Sequence, residues 1–484
     1  MKKKMRLGSS AAALTISKMI TMAMSIVTAM VLSRYLSLKD YGTYSELQTV
    51  TSLVVSIFIL GLPNSLNYFL PTMGKEEKSR YLSFYYTAIT VLSLVIAVVI
   101  YFLRVPISLY YENPDLMLYG LFLTVIPWTK IAISSRSNML VVEAKVRREF
   151  VYCVLNSFSL LLLSLGIMLF SGSFRLYLNL YILIEAVFAM LVYAEGFISA
   201  GKLRFDLDWK LIKTVMAFSI PIGLSTAIST ISLDLDKLVI GFFLDEEAVA
   251  IYANAGKELP FGIISSSFTA VVLPQIVLCV KEERHSRAVE IWKNSCELCF
   301  LLLAFCCAAS IVFAPQIIHF LYSDRYLGGV GIFRVYALVL LLRCTYWGMI
   351  LNAFGKSRQI FYNSIICLLV NAALSVLLYW WIGFAGPALA TFLSILAMAI
   401  VQLIHSSRLI GVPVRCIFSW KSMAMEATSS ILSGLCIWAV VHFLNIGTAG
   451  KDIAIAVVLA LVWAVGYFGL WFRRIRSLWS TVNS

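Results

Sequence analysis

The sequence predicts an all-α membrane protein of about fourteen transmembrane helices, and three observations carry that expectation. Of its 484 residues, 61% are hydrophobic and 13% are charged, whereas soluble domains carry roughly 45–50% apolar and about 25% charged residues. Apolar segments long enough to cross a bilayer recur along the whole chain, and no loop between them is long enough to hold a soluble domain. Lysine and arginine alternate between rich and poor loops. Starting from the first end, every second loop is basic, so that 25 of the 39 basic residues fall in one set of loops, 6 in the other and 8 inside spans. That alternation is the positive-inside pattern.

The predicted spans are 11–33, 43–70, 82–103, 116–142, 150–170, 176–199, 214–243, 248–280, 289–314, 330–354, 360–382, 384–407, 424–444 and 452–472. The rich loops face the cytoplasm, which places both chain ends there. MKKKMR followed by an apolar run to Ser33 is read as a retained first helix, because no small-residue cleavage site follows it. The net charge of +14 sits in these loops, so it reports topology and contact with anionic lipid headgroups rather than nucleic-acid binding. Among the ten cysteines, Cys296 and Cys299 share a helix face and Cys306 and Cys307 are adjacent. No histidine pair accompanies them at ligand spacing, so no metal site is expected and packing is their role.

The chain repeats itself. VLSRYLSLKDYGTYS from Val31 parallels VIGFFLDEEAVAIYA from Val239 at an offset of 208. KEEKSR at Lys75 parallels KEERHSR at Lys281, and Lys145, Arg147 and Phe150 parallel Lys356, Arg358 and Phe361 at an offset of 211. Each half then holds six helices. An even number makes the halves parallel repeats about an axis along the membrane normal. The expected organisation is an N-lobe over 1–200, a link over 201–213, a C-lobe over 214–410, and an accessory pair of helices with the C-terminus over 411–484.

With LSRYLSLKDYGTYS, DLDKLVIGFFLDEEAVAIYANA, IGFAGPALAT and the 6+6+2 plan in view, the chain resembles the oligosaccharide flippases of bacterial O-antigen and capsule synthesis. These are members of the multidrug/oligosaccharidyl-lipid/polysaccharide exporter superfamily. The resemblance implies two helical lobes around a central cavity, a bacterial inner-membrane location, and movement of an undecaprenyl-diphosphate-linked oligosaccharide from the cytoplasmic to the outer leaflet. It also implies partnership with the polymerase and chain-length regulator of such a pathway.

Charges deep in spans are costly and mark function. Lys130 and Arg343 are expected near mid-span on the fourth and tenth helices, which correspond in the repeat; Lys18 and Arg136 lie nearer the inner end. These four are the candidate lining for a diphosphate, since arginine offers forked donors and lysine a mobile point charge. The alternative for each is an ion pair between helices. Asp234 and Asp236, with Lys237 beside them, form either a local ion-pair network near the outer surface or a site for a coupling sodium ion or proton, for which Glu185 in the sixth span is the next candidate; no other cofactor is expected. Tyr85, Tyr86, Trp128, Tyr346 and Trp347 are candidates for stacking on sugar rings. The absence of a Walker loop, of a GxGxxG after a strand and of clustered histidines leaves no catalytic constellation. The competing readings are a cation-coupled multidrug antiporter, a flippase for the lipid-linked peptidoglycan precursor, and a membrane glycosyltransferase or polymerase. The last would need a sizeable loop outside the membrane.

Overall fold

The computed structural model describes residues 2–142, 146–200, 209–257 and 260–483. Glu143, Lys145, Lys202, Arg204 and the 201–208 part of the predicted link lie outside the described residues; 209–213 already belong to a helix. The helices are α1 (Lys2–Tyr35), α2 (Leu38–Phe58), α3 (Leu62–Phe69), α4 (Lys75–Tyr110), α5 (Asp115–Leu118), α6 (Gly120–Val142), α7 (Val146–Leu169), α8 (Phe174–Ala200), α9 (Trp209–Phe243), α10 (Glu246–Ala255), α11 (Gly262–Lys281), α12 (His285–Val312), α13 (Ala314–Tyr322), α14 (Val330–Leu342), α15 (Met349–Ala353), α16 (Ser357–Ile382), α17 (Gly386–Ile410), α18 (Val414–Ile417), α19 (Trp420–Phe443) and α20 (Gly450–Asn483). There is no strand among the described residues. In lipid this is the expected solution, because a helix satisfies its own backbone polar groups.

Eleven helical stretches of the described residues are long and apolar enough to cross a membrane, or twelve if the bent pair α2–α3 is one span. One of the eleven, Ser357–Ile410, is 54 residues long and contains both α16 and α17. α6 falls outside the eleven because Lys130, Arg136 and its hydroxyl side chains dilute its apolar content. With α16 and α17 taken separately and α6 included, the described helices accommodate the fourteen predicted spans, and the protein is a multi-pass membrane protein. The repeat is visible in the helix boundaries. The break from Tyr35 to Leu38 recurs 208 residues later, from Phe243 to Glu246, and the starts of α7 and α16 are 211 residues apart.

The chain divides into two compact units, Met1–Ala250 and Ile251–Ser484; α9 packs with the first. In that unit α6 lies among α2, α3, α4, α7 and α8, α1 packs on α7, and α9 packs on α2 and α3. The predicted span 43–70 is bent by 46° between α2 and α3. Leu60 and Gly61 take positive φ there, +49° and +67°, and Pro63 opens α3. The bend brings the Gly61 backbone against that of Ser219 and Gly223 in α9, so close that a Cβ on either glycine would overlap the opposite main chain.

In the second unit α12 is the central helix: 67% of its most apolar stretch is buried, against 11–39% for the other membrane-length stretches of this unit. It packs on α11, α14, α19 and α20. Two predicted spans differ from their continuous form. The eighth, 248–280, is two helices, α10 and α11, interrupted near Gly256 and Pro260. The tenth, 330–354, stops at Leu342 and resumes as α15 at Met349. No glycine or proline marks that break at its start; side chains hold it instead. The Trp292 indole donates to Thr345 Oγ1 at 2.8 Å and the Trp347 indole to the Leu342 carbonyl at 2.6 Å. Arg343 therefore caps a helix end rather than sitting inside a helix, where the carbonyl end of the helix dipole favours its charge.

Candidate substrate site

In the first unit the deep charges gather around α6. Lys130 Nζ lies 3.2 Å from Glu185 Oε1 of α8, and the two ends differ in access: the lysine side chain is 35% exposed and the glutamate 0%. The ammonium also lies 5.7 Å from the centre of the Tyr181 ring. Gln48 Nε2 donates to Tyr44 OH at 3.0 Å and to Tyr181 OH at 3.4 Å, and the Tyr44 ring meets those of Tyr177 and Tyr181 edge-on. A cation is thus held by a buried carboxylate beside phenol and amide groups. Tyr44, Gln48 and Tyr181 are not singled out by sequence reasoning; on α2 and α8 they read as ordinary polar and aromatic residues. The predicted stackers Tyr85 and Tyr86 are buried instead, and the Trp128 indole donates to Tyr193 OH at 3.3 Å.

Arg136, two turns along α6, has a different setting. Its Nη1 donates to Glu149 Oε2 of α7 at 2.8 Å, and its Nε and Nη2 donate to the two oxygens of Glu195 of α8 at 2.8 and 3.3 Å. The guanidinium stacks 3.8 Å from the Tyr152 ring centre. The side chain is almost fully buried, so the fork is spent on protein carboxylates. Lys18 is exposed on α1, and its carbonyl accepts from Thr21 Oγ1 at 3.0 Å; none of its described contacts joins it to Lys130 or Arg136.

Asp234 and Asp236 lie late in α9. Asp234 Oδ1 pairs with Lys237 Nζ at 2.7 Å, one helical turn away, and Asp236 is buried. Nearby, Asn113 donates to Thr43 Oγ1 at 3.0 Å and to Glu46 Oε2 at 2.8 Å. Glu46 is buried, and its other oxygen has no hydrogen-bond partner. Burial, followed by the charge of Glu46, raises the Tyr111 phenol well above the usual tyrosine range, so it stays a neutral hydroxyl. Among the described residues no three His, Cys, Asp or Glu side chains are arranged to hold a metal ion. Asn113 is the donor that satisfies the buried Glu46 there. Asn113→Ala is expected to lower stability by about 1–3 kcal/mol, the cost of an orphaned buried acceptor; thermal unfolding of the purified protein in detergent checks this, and an unchanged midpoint contradicts it.

In the second unit Arg343 lines a cleft with Lys257, Ser310, Phe333 and Tyr336. Sequence position alone makes Lys257 a span-end lysine extending to headgroups; the fold sets it beside the arginine. Tyr346 follows in the unwound segment, and Cys344 there brings its Sγ to 3.7 Å from that of Cys296.

The helices and their intramembrane charges define a multi-pass membrane protein with ion-paired basic groups among its spans. The sequence profile of the polysaccharide biosynthesis protein family matches residues 31–330, and the chain belongs to that family. No curated protein matches the sequence. Among solved structures the chain is similar to the lipid II flippase MurJ in an inward closed conformation, with a TM-score of 0.74 and 16% identity over 96% of this chain and 99% of that one. It is also similar to an inward-facing MATE-family multidrug resistance transporter of the MOP superfamily, with a TM-score of 0.64 and 14% identity over 83% and 98% of the two chains. A third likeness is to a MOP-superfamily transporter from Pyrococcus furiosus, described by a reversed polarity of its binding pocket, with a TM-score of 0.53 and 15% identity over 83% and 95%. At these identities the likeness establishes the fold, which this chain shares with flippases and transporters.

Proposed function

We propose that the protein is a flippase that moves undecaprenyl-diphosphate-linked oligosaccharide repeat units from the cytoplasmic to the outer leaflet of a bacterial inner membrane. It would do so by alternating access, for O-antigen, capsule or exopolysaccharide synthesis, with both termini cytoplasmic and with the pathway's polymerase and chain-length regulator as partners. Membership of the polysaccharide biosynthesis family supports the pathway, and the fold supports transport rather than catalysis. The observation that carries the substrate assignment is Lys130. Its partner Glu185 is fully buried while its own side chain stays one-third exposed, so the carboxylate fixes the ammonium at the edge of the buried group, where an incoming diphosphate would compete for it. Arg343 and Lys257 border a second, small cleft among apolar side chains. Lys130 can exchange part of its bond to Glu185 for phosphate oxygens, and the half-buried Tyr44 and Gln48 can offer polar contacts to the first sugar.

An anion leaving a negative interior runs downhill, at about 2.3 kcal/mol per charge per 100 mV. A coupling sodium ion or proton is therefore optional for the outward step; Asp234, Asp236 and Glu185 are the proposed places for one. Arg136 contributes by fixing α6 against α7 and α8, and Lys18 by its place on α1.

One observation favours a second reading, the cation-coupled multidrug antiporter. Around α6, Glu149, Glu185 and Glu195 outnumber Lys130 and Arg136, a balance that also suits cationic cargo. The test is flipping of a lipid-diphosphate oligosaccharide in proteoliposomes by the parent, Lys130→Gln and Arg343→Gln. Losing one charge-assisted bond of about 1.5–3 kcal/mol is expected to slow each variant roughly ten- to a hundredfold while it still elutes as a folded species. A parent that moves none of a panel of sugars yet expels organic cations against a proton or sodium gradient makes the antiporter the correct reading.

A further inference from the structure

A second group of ionisable side chains lies between α12, α19 and α20. Glu297 of α12 and Glu426 of α19 are both fully buried. Glu297 Oε1 accepts from Arg474 of α20, with Nε at 2.7 Å, and Arg474 Nη2 also reaches Ser422 Oγ at 3.3 Å. Glu297 Oε2 and both oxygens of Glu426 have no hydrogen-bond partner. The neighbouring donors are engaged elsewhere: Ser430 Oγ donates to Tyr467 OH at 2.9 Å, Ser429 Oγ to the Glu426 carbonyl at 3.0 Å, and the Trp471 indole to Ser429 Oγ at 3.1 Å. The charged and titratable groups that act on the Glu426 carboxyl from the packed helices are Glu297 on α12 and Arg474 and Tyr467 on α20.

One guanidinium therefore stands near two buried carboxylates, and its Nε and Nη2 both bond the first. A second ionised carboxylate with no donor in such a place is not sustainable, because an isolated buried charge costs several kcal/mol even after relaxation, and two nearby carboxylates do not both stay ionised. We propose that Glu426 is a proton-binding site, and that its proton is what allows α19 and α20, the helix pair outside the repeat, to stay packed on α12. Losing the proton places an uncompensated negative charge between the three helices and loosens the pair. The site shares no residue with the Lys130 or Arg343 groups, so it stands whether or not the flippase reading does.

The test is infrared difference spectroscopy of the purified protein in lipid nanodiscs, following the carbonyl stretch of a protonated carboxylic acid through a pH titration. The parent is expected to show at neutral pH a band that Glu426→Gln lacks and Glu297→Gln retains. The parent's melting temperature is expected to fall as pH rises while that of Glu426→Gln, which carries no proton to lose, falls less. A parent without the band overturns the proposal without recourse to any variant. So does a melting temperature that rises with added sodium in the parent and not in Glu426→Gln, since the compensating charge is then a sodium ion.

Discussion

Arg136→Met lowers the stability of the first unit by about 3–5 kcal/mol, the usual cost of removing one partner from a buried ion pair. The side chain is 4% exposed and Glu149 6%, so no water stands ready to replace the bond to Glu149, while Glu195, 31% exposed, can be rehydrated in part. The substitution keeps the volume and removes the charge, leaving Glu149 and Glu195 facing each other beside Tyr152. Arg136→Lys recovers only part of the loss, since an ammonium cannot span two carboxylates with a planar fork. The triple change Arg136→Met, Glu149→Gln and Glu195→Gln is expected to regain most of it, because neutralising a whole buried ionic group is often close to neutral. Thermal unfolding in detergent, with transport read in parallel, separates the roles. A single variant that melts with the parent but fails to transport assigns Arg136 to the substrate instead.

Gly223→Leu is expected to prevent α9 from seating on the α2–α3 bend. The Cβ of any residue at 223 would overlap the Leu60 and Gly61 main chain, which has no flexible end to move aside. Overpacking in a core costs about 1–3 kcal/mol where side chains give way, and here backbone must give way. Even Gly223→Ala is expected to reduce the fraction of protein that elutes as a single species, and Gly223→Leu to abolish it. Gly166→Ala on α7 is the matched control: its Cβ meets nothing within 4 Å, and alanine is the better helix former. A Gly223→Leu protein that elutes like the parent contradicts the backbone contact.

The spans were legible because lipid imposes two independent signals, segment length and loop charge, on the same boundaries. The repeat was legible because duplicated turns keep their spacing, as the 208-residue interval between the Tyr35 and Phe243 helix ends demonstrates. The pairing of Lys130 with Glu185 was not legible. The two are 55 residues apart, and nothing in either helix alone says which faces meet. Lys237 with Asp234 needed only one helical turn and was visible as a cluster. The break after Leu342 escaped because it is held by tertiary bonds from Trp292 and Trp347 rather than by a local breaker. Glu297 and Glu426 escaped for a related reason: each stands alone in its segment, and only the packing of α12 on α19 removes water from both.

The crowding of charge on α6 also bears on how the chain is made. During synthesis α6 emerges with Lys130 and Arg136 before any of their partners exists. Glu149 follows 13 residues after Arg136, while Glu185 and Glu195 come 55 and 59 residues after their cations. At about 2.5–3.5 kcal/mol for a lone charge at a helix centre, Lys130 alone, with Arg136 nearer the end, is expected to make this segment enter lipid less readily by itself than with its partners. Insertion of α6 together with α7 and α8 is therefore the expected route, and a truncation ending after α6 is expected to insert less completely than one ending after α8, which makes the order of translation part of how the protein reaches its fold.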